Sequence, residues 1–489
     1  MPRICPLRAR AARLLFGALC TCLLTLPAAG AGFDPFGTDA LVSNSPTHAL
    51  GTAQAPACAP ACAPARADQL VTLALAIDMA LCSSAQTQKD WATAKAMAAQ
   101  LGAAKASYLP SINASATSMR EKDSTRVEAY PDYNNDINSR TRSARVDMSL
   151  VLYDFGARAA NVDGARALLD AANAAHDAGL QAAFIGAAQT YYDALTATSH
   201  VVAARSAQQL GEQTYKSAEA RHRLGLATLV EKLQAETASA QETLKLIKAE
   251  GALQIALGNL ADTIGLPINT PLQLDTSESE RAPDTTFVKA VDTLMEEAKT
   301  RHPHLIAARA QLRAAEAGER AARASGYPTL SASFNKSGAT QPTTQLGLPP
   351  LTTSSRGMQI GFQLNIPLFD GFARSYRIRS AHAQTAVRAA DLAELESQVA
   401  MGVWKNYQAL HTATAELKVS QQFRASAAQT VEAAQGRNKL GAAPILELLN
   451  AQATLAAADQ QKIQAMADWR TARLRLAFNL GILGHWALQ

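Results

Sequence analysis

Residues 357–368 read Gly357-Met358-Gln359-Ile360-Gly361-Phe362-Gln363-Leu364-Asn365-Ile366-Pro367-Leu368. Every second side chain is large and apolar, while Gln359, Gly361, Gln363 and Asn365 fill the alternate positions. A period of two is the signature of a β-strand, whose successive side chains point to opposite faces. One face of this strand meets an apolar medium and the other meets water. Working outward, Leu330-Ser331-Ala332-Ser333-Phe334 after Pro328 supplies a partner. Far upstream, Val146, Met148, Leu150 and Leu152 alternate with Arg145, Asp147 and Ser149, and Ile112-Asn113-Ala114-Ser115-Ala116 follows Pro110. The pattern predicts two hairpins, with strands at about 110–120 and 143–154 and at about 328–337 and 356–369. Each strand is near the roughly ten residues that cross a bilayer at a tilt. The stretches from Arg120 to Arg142, full of charge, and from Ser337 to Arg356, full of Thr, Pro and Gly, read as exposed loops.

The two hairpins belong to an internal repeat. Leu152-Tyr153-Asp154-Phe155-Gly156-Ala157-Arg158 aligns with Leu368-Phe369-Asp370-Gly371-Phe372-Ala373-Arg374, Asp154 and Asp370 lying 216 residues apart. Leu224-Gly225 and Leu440-Gly441 share that offset, as do Glu231 and Glu447, and Gly265 and Gly481. Landmarks in one order and at one spacing point to two copies of a unit of roughly 215 residues. The expected organisation is a first repeat over 68–266 and a second over 267–484.

After each hairpin the chain turns, at Asp154 and Gly156 or at Asp370 and Gly371, into a long helical pattern. No proline interrupts Arg158 to Arg223 or Arg374 to Arg437, and helices are expected at about 158–223 and 374–437. Such lengths span roughly 100 Å at 1.5 Å per residue. Reversals at Gly225 and Gly441 lead into second helices, at about 227–263 and 443–480. Val162, Ala165, Leu169 and Ala172 step by three and four, as in a supercoiled seam.

Four strands cannot close a barrel, and an open sheet edge in lipid leaves backbone groups unpaired at several kcal/mol each. Several chains must therefore share one sheet. Three copies give twelve strands, within the range of outer-membrane barrels and wide enough for a lumen. The reading is an α+β membrane protein: a homotrimer with a 12-stranded β-barrel continued by an α-helical barrel.

Composition agrees. Of 489 residues 48% are hydrophobic but only 5% aromatic, so the chain suits long, closely approaching Ala-rich helices rather than a large-side-chain core. The net charge of +5 is too mild and too dispersed for a nucleic-acid partner. Arg3, Arg8, Arg10 and Arg13 precede an apolar run that closes with Ala29-Gly30-Ala31, the pattern of an export signal over 1–31 cut after Ala31. Residues 32–67, rich in Pro, Ala, Ser and Thr, read as a loose arm. In an oxidising compartment Cys82 is expected to bridge to Cys58 or Cys62. No residue constellation supports catalysis, a metal site or a cofactor. His302-Pro303-His304 reads as a helix start, and without a Gly-rich phosphate loop energy must come from a partner.

Ala106-Ser107-Tyr108-Leu109-Pro110, Leu152-Tyr153-Asp154-Phe155-Gly156, Pro367-Leu368-Phe369-Asp370-Gly371 and the stretch Leu440-Gly441-Ala442-Ala443-Pro444-Ile445-Leu446-Glu447-Leu448-Leu449-Asn450 together resemble the TolC family of trimeric outer-membrane exit ducts. The resemblance runs from about Asp68 to Gly484. Ala80-Leu81-Cys82 and Trp91-Ala92-Thr93-Ala94-Lys95 resemble the CyaE branch, which serves type I secretion of protein toxins. The resemblance implies a periplasmic adaptor and an inner-membrane ABC or proton-driven pump as partners. It places Gly225 and Gly441 at a periplasmic mouth and a ring of acidic side chains at Glu447. The family's second acidic ring falls on Asn450, which is not acidic, and its polar latch falls on Asn438 and Ala443. Function classes in view are a type I secretion duct, a multidrug efflux duct, a periplasmic adaptor, which would lack the strand pairs, and an exported enzyme, which would need a catalytic cluster.

Overall fold

The computed structural model describes residues 34–43, 70–276, 291–345 and 349–481. The expected export signal, Cys58 and Cys62 lie outside the described residues. Among the described residues a 3-10 turn (Asp39–Leu41) precedes a short strand β1 (Leu70–Val71), α1 (Leu73–Ser83) and α2 (Ala85–Ala106). A hairpin of β2 (Ser111–Thr125) and β3 (Asn135–Tyr153) follows, then α3 (Ala157–Arg223) and α4 (Leu229–Thr263). After β4 (Gln273–Leu274), which pairs parallel with β1, come α5 (Val291–Arg301) and α6 (Pro303–Ala324). A second hairpin, β5 (Thr329–Gln345) and β6 (Leu351–Asn365), leads into α7 (Ala373–Lys439) and α8 (Ile445–Asn479). The helices α3 and α7 are 67 residues each, and α4 and α8 are 35 each.

Helix boundaries follow local chemistry. Thr72 Oγ1 accepts from the Leu75 N–H to cap α1, and Ser84 Oγ accepts from the Thr87 N–H to cap α2. Along α3 the side chains of Leu169, His176, Leu180, Phe184, Ala187 and Tyr191 are buried, a seam stepping mostly by three and four. It packs in part against Ala98 and Leu101 of α2, where Ala98 permits close approach. The largest core joins Leu73 and Ile77 of α1, Phe184 and Tyr191 of α3 and Leu260 of α4. A second joins Leu294 and Leu305 to Val403, Leu410 and Leu417 of α7 and Trp469 of α8. At roughly 1.5–3 kcal/mol per fully buried large side chain, these stripes hold the long helices together.

The four long strands form one antiparallel sheet in the order β2-β3-β5-β6, so β3 and β5 join the two hairpins. Apart from a bulge in β3 between Val151 and Tyr153, the register runs straight across it. Ile112 lies opposite Met148, Met148 opposite Phe334, and Phe334 opposite Ile360. Asn113, Asp147, Asn335 and Gln359 form the corresponding row of the other face, where Asn335 Nδ2 donates to Asp147 Oδ1. Over the half of the sheet nearest the helices the odd-numbered face is thus polar and the even-numbered face apolar, apart from Lys336 opposite Val146 and Met358. Large apolar side chains stand bare on it, Phe362 being 74% exposed and Ile112 65%. Both outer strands, β2 and β6, offer an unpaired edge of 15 residues.

Two sequence expectations are corrected. The strands run to 15, 19, 17 and 15 residues rather than about ten. Most of the expected loops is strand: β2 and β3 are separated only by 126–134, β5 runs to Gln345 and β6 starts at Leu351. Apolar alternation stops near Ala144 and Met358, but ladder hydrogen bonds belong to the backbone and continue through Thr, Ser, Arg and Lys as far as Thr125 opposite Asn135. The loose arm is also corrected over 34–43, which is docked. Asn173 on α3 accepts from the Ser43 N–H and donates to the Leu41 carbonyl, and Val42 packs on Ala98, Leu101 and Leu169. The Asp34 carboxylate accepts from the Asp39 and Phe36 N–H groups, and the Asp39 bond foremost holds its pKa below the usual range.

His302 caps α6 with Pro303 at the first helical position, and its ring is buried. Burial first, and the neighbouring His304 second, push its pKa down to about 4. The folded chain therefore binds this proton less readily than the unfolded chain, in which the group titrates near 6.5. Stability is expected to be full above about pH 6.5 and to fall towards pH 4, by on the order of 2 kcal/mol at the acid end. Thermal melts of wild type and His302→Asn across this window check it: the asparagine variant should lose that share of the acid sensitivity. An equal slope in both proteins contradicts the assignment.

Candidate functional site

The two helix reversals have a common local build. At the first, the Gly225 N–H donates to the His222 carbonyl and the Leu226 N–H to the Arg221 carbonyl, with Gly225 at φ +73°. At the second, Gly441 at φ +70° donates to Asn438 and Ala442 donates to Arg437. A left-handed residue is required to turn the last carbonyls back, which glycine supplies without a Cβ penalty. The next helices start differently. Thr228 and Glu231 form a reciprocal capping box on α4. On α8 the cap position is Pro444, and Glu447 occupies the first turn, where a carboxylate suits the helix dipole.

Side chains then tie the reversals together. Asn438 Nδ2 donates to the Ala443 carbonyl at 3.1 Å, so the position that lacks a polar side chain still takes part through its backbone. Arg221 Nη1 reaches both the carbonyl and the Oδ1 of Asn438 at 3.3 Å, linking α3 to α7. Gln452 Nε2 donates to Thr214 Oγ1 at 2.8 Å, linking α8 to α3. Glu447 is not left uncompensated: Arg437 Nη1 lies 2.7 Å from its Oε1, both side chains being partly exposed. The reversal brings the last turn of α7 beside the first turn of α8 and so supplies a counter-ion within the chain. Asn450, one turn on, is exposed.

The strand-to-helix junctions form the second cluster. Pro110 and Pro328 stand immediately before β2 and β5, where a fixed φ and a missing N–H are tolerated. After β3, Phe155 at φ +52° and Gly156 at φ +89° swing the chain into α3; after β6, Gly371 and Phe372, both at φ +66°, do the same for α7. A phenylalanine in the left-handed region is disfavoured by roughly 1–2 kcal/mol. Phe155 is held by stacking on Tyr327 with ring centres 5.4 Å apart, and Phe372 meets Phe369 edge-on at 5.3 Å. Asp154 Oδ2 accepts from the Arg158 N–H at 2.9 Å and from its Nε at 3.0 Å. The Arg158 guanidinium also donates to the Val151 carbonyl and lies 4.6 Å from the Tyr108 ring centre. Asp370 accepts from the Arg374 N–H and from Arg377 Nη2, while Arg374 Nη1 donates to the Gly326 carbonyl.

Sequence reading missed Arg437, Arg221, Arg158 and Arg374. The last two carried a signal, an arginine four residues after each junction aspartate, whereas the first two act only across a reversal or between helices. Cys82 is disulfide-bonded, its expected partners lying outside the described residues. Among the described residues no group of three or more His, Cys, Asp or Glu is placed to hold a metal.

The profile of outer membrane efflux proteins matches residues 76–266 and 294–482, more than half of the chain. The chain belongs to the outer membrane efflux protein family. Protein CyaE of Bordetella pertussis is 32% identical over 420 residues, which is 86% of this chain and 86% of that protein. Among solved structures, the outer-membrane channel OprN superposes with a TM-score of 0.72 at 17% identity, covering 91% of this chain and 99% of OprN. The outer membrane protein VceC of Vibrio cholerae gives 0.66 at 22% identity, covering 84% and 96%. Family and fold place the protein in the outer membrane with its helical part in the periplasm. The α+β fold of long helices and a strand sheet is that of these channels.

Proposed function

We propose that three copies of this outer membrane efflux protein close a 12-stranded barrel, continued into the periplasm by a barrel of twelve long helices from three two-fold repeated chains. The observation that carries this reading is the sheet itself: four strands, an exposed apolar face and two open edges of equal length. Pairing β6 of one copy with β2 of the next removes every unpaired edge, which lipid demands. The assembly acts as an exit duct, taking substrate from an inner-membrane pump and a periplasmic adaptor to the exterior. The relationship to CyaE favours type I secretion of protein with an ABC pump. The efflux description of the family keeps small-molecule export with a proton-driven pump as the second reading.

The reversals at Gly225 and Gly441 form the periplasmic mouth, with Glu447 and Asn450 facing the constriction. There Arg437 offsets the Glu447 carboxylate within each chain. In planar bilayers the purified trimer is expected to conduct. Glu447→Ala frees Arg437 and should move the reversal potential towards anion selectivity, and Arg437→Ala should move it towards cations. Absence of conductance would count against the duct, whereas conductance with unchanged selectivity in both variants removes the pair from the constriction. Co-expression with candidate pump and adaptor pairs, scoring a secreted polypeptide against drug resistance, separates the two cargo readings.

A further inference from the structure

The even-numbered face of the sheet changes character along its length. Leu152, Leu150, Met148, Val146 and Ala144 of β3 are apolar, and the next two residues on that face are Arg142 and Arg140. On β2, Ile112, Ala114 and Ala116 give way through Ser118 to Arg120 and Lys122. The register sets Arg120 directly opposite Arg140 and Lys122 opposite Asn138, with Arg142 opposite Ser118. Arg142 and Lys122 are therefore diagonal neighbours of the Arg120–Arg140 pair. Side chains directly opposite have Cβ atoms about 5 Å apart and diagonal ones about 7–8 Å, so four cations share one small patch.

Like charges directly opposite weaken a sheet. Nearby acids leave the three arginines without an ion pair, although Asp136 also attracts Lys122. Asp136 holds Arg126 at 2.9 Å and Asp147, on the other face, holds Arg145 at 2.8 Å. Glu121 and Asp123 alternate onto the odd face, and Arg120, Arg140 and Arg142 make no ion pair among the described residues. An anion supplied from outside would turn this repulsion into a clamp, with planar guanidinium groups suited to phosphate.

The position says which anion. From Leu152 to Ala144 is about 27 Å along the strand, or about 20 Å of height at a barrel tilt, near the roughly 25 Å of an apolar lipid-facing band. On β2 and β3 the cations begin where that band ends, at the end away from the periplasmic helices; the same face also carries Lys336 of β5, opposite Val146, and Arg356 of β6, opposite Gly338. Resting on the barrel reading above, that level is the headgroup zone of the outer leaflet. We propose that Arg120, Arg140 and Arg142, with Lys122, form a site on each protomer for the phosphate groups of a phosphorylated outer-leaflet glycolipid, with the acyl chains lying against Ile112, Val146 and Met148.

The test uses the detergent-purified trimer titrated with diphosphoryl lipid A and with its dephosphorylated form, bound lipid being read by native mass spectrometry. Diphosphoryl lipid A should bind at least about tenfold more tightly. The triple variant Arg120→Gln, Arg140→Gln, Arg142→Gln should lose that preference, and the triple lysine variant should keep most of it. If the glutamine variant fails to assemble, Arg140→Gln alone should reduce the preference. Equal affinity for both lipids, an undiminished preference in the glutamine variants, or equally tight binding of inorganic pyrophosphate overturns the site. Quenching of Ile360→Trp by brominated lipid tests the face separately: no added quenching fells the barrel reading, whereas quenching without lipid A preference fells the glycolipid site alone.

Discussion

Phe362→Arg is expected to abolish the heat-resistant trimer in a detergent-extracted outer-membrane fraction. Phe362 lies mid-way along the apolar run of β6 and is 74% exposed on the single chain, so in the proposed barrel it would face lipid. An arginine near the bilayer midplane of a barrel costs about 2–4 kcal/mol. Three copies incur it three times, for about 6–12 kcal/mol, as large as the net stability of many folded domains. Gln363→Arg is the control. It points to the polar face beside Ser331 and should assemble as wild type does. Denaturing gels of unheated membrane extracts measure both, and equal trimer in the two variants would remove lipid from the even face.

Arg158→Ala is expected to cost about 3–5 kcal/mol and to lower the temperature at which the trimer dissociates by many degrees. The Asp154–Arg158 pair is largely shielded, at 13% and 14% side-chain exposure, so removing the arginine strands a carboxylate away from water. It also removes the hydrogen bond to Val151 at 2.7 Å and the stacking on Tyr108. These contacts hold the Phe155–Gly156 turn in its left-handed conformation and so fix the angle between sheet and helix. Lysine at 158 cannot reproduce the fork and should recover only part of the loss. By contrast Arg377→Ala, whose partner Asp370 keeps the Arg374 N–H, is expected to change stability by under about 1 kcal/mol, since that pair is exposed. Dissociation temperatures that match wild type in Arg158→Ala would show that the junction is held elsewhere.

What could be read in advance follows the range of the interactions. The alternation at 357–368 appears as strand because side-chain direction depends only on neighbouring residues. Gly225 and Gly441 appear as turns for the same reason. The strand ends lie beyond the alternating stretch because apolar alternation marks the part facing an apolar medium, not the part that is paired. Arg140 and Arg142 sit in strand though they read as loop. Residues 34–43 read as loose because the stretch 32–67 that contains them is rich in Pro, Ala, Ser and Thr, yet Asn173, 130 residues from Ser43, supplies two hydrogen bonds that dock them. The acidic position at Glu447 was legible, but its neutralisation by Arg437 was not: the two are ten residues apart with a reversal between them.

By itself, the sequence determined the local menu: which segments alternate, which run uninterrupted as helix, where the backbone must turn left-handed, and that the pattern occurs twice. The physical reason is that backbone sterics and side-chain periodicity act over a few residues. Only the tertiary structure decided that β3 pairs with β5, that β2 and β6 are left as open edges, and that four cations converge on one face above the apolar band. Those outcomes depend on register between segments up to about two hundred residues apart, which hydrogen-bond ladders and side-chain packing select collectively, and which no short window of sequence encodes.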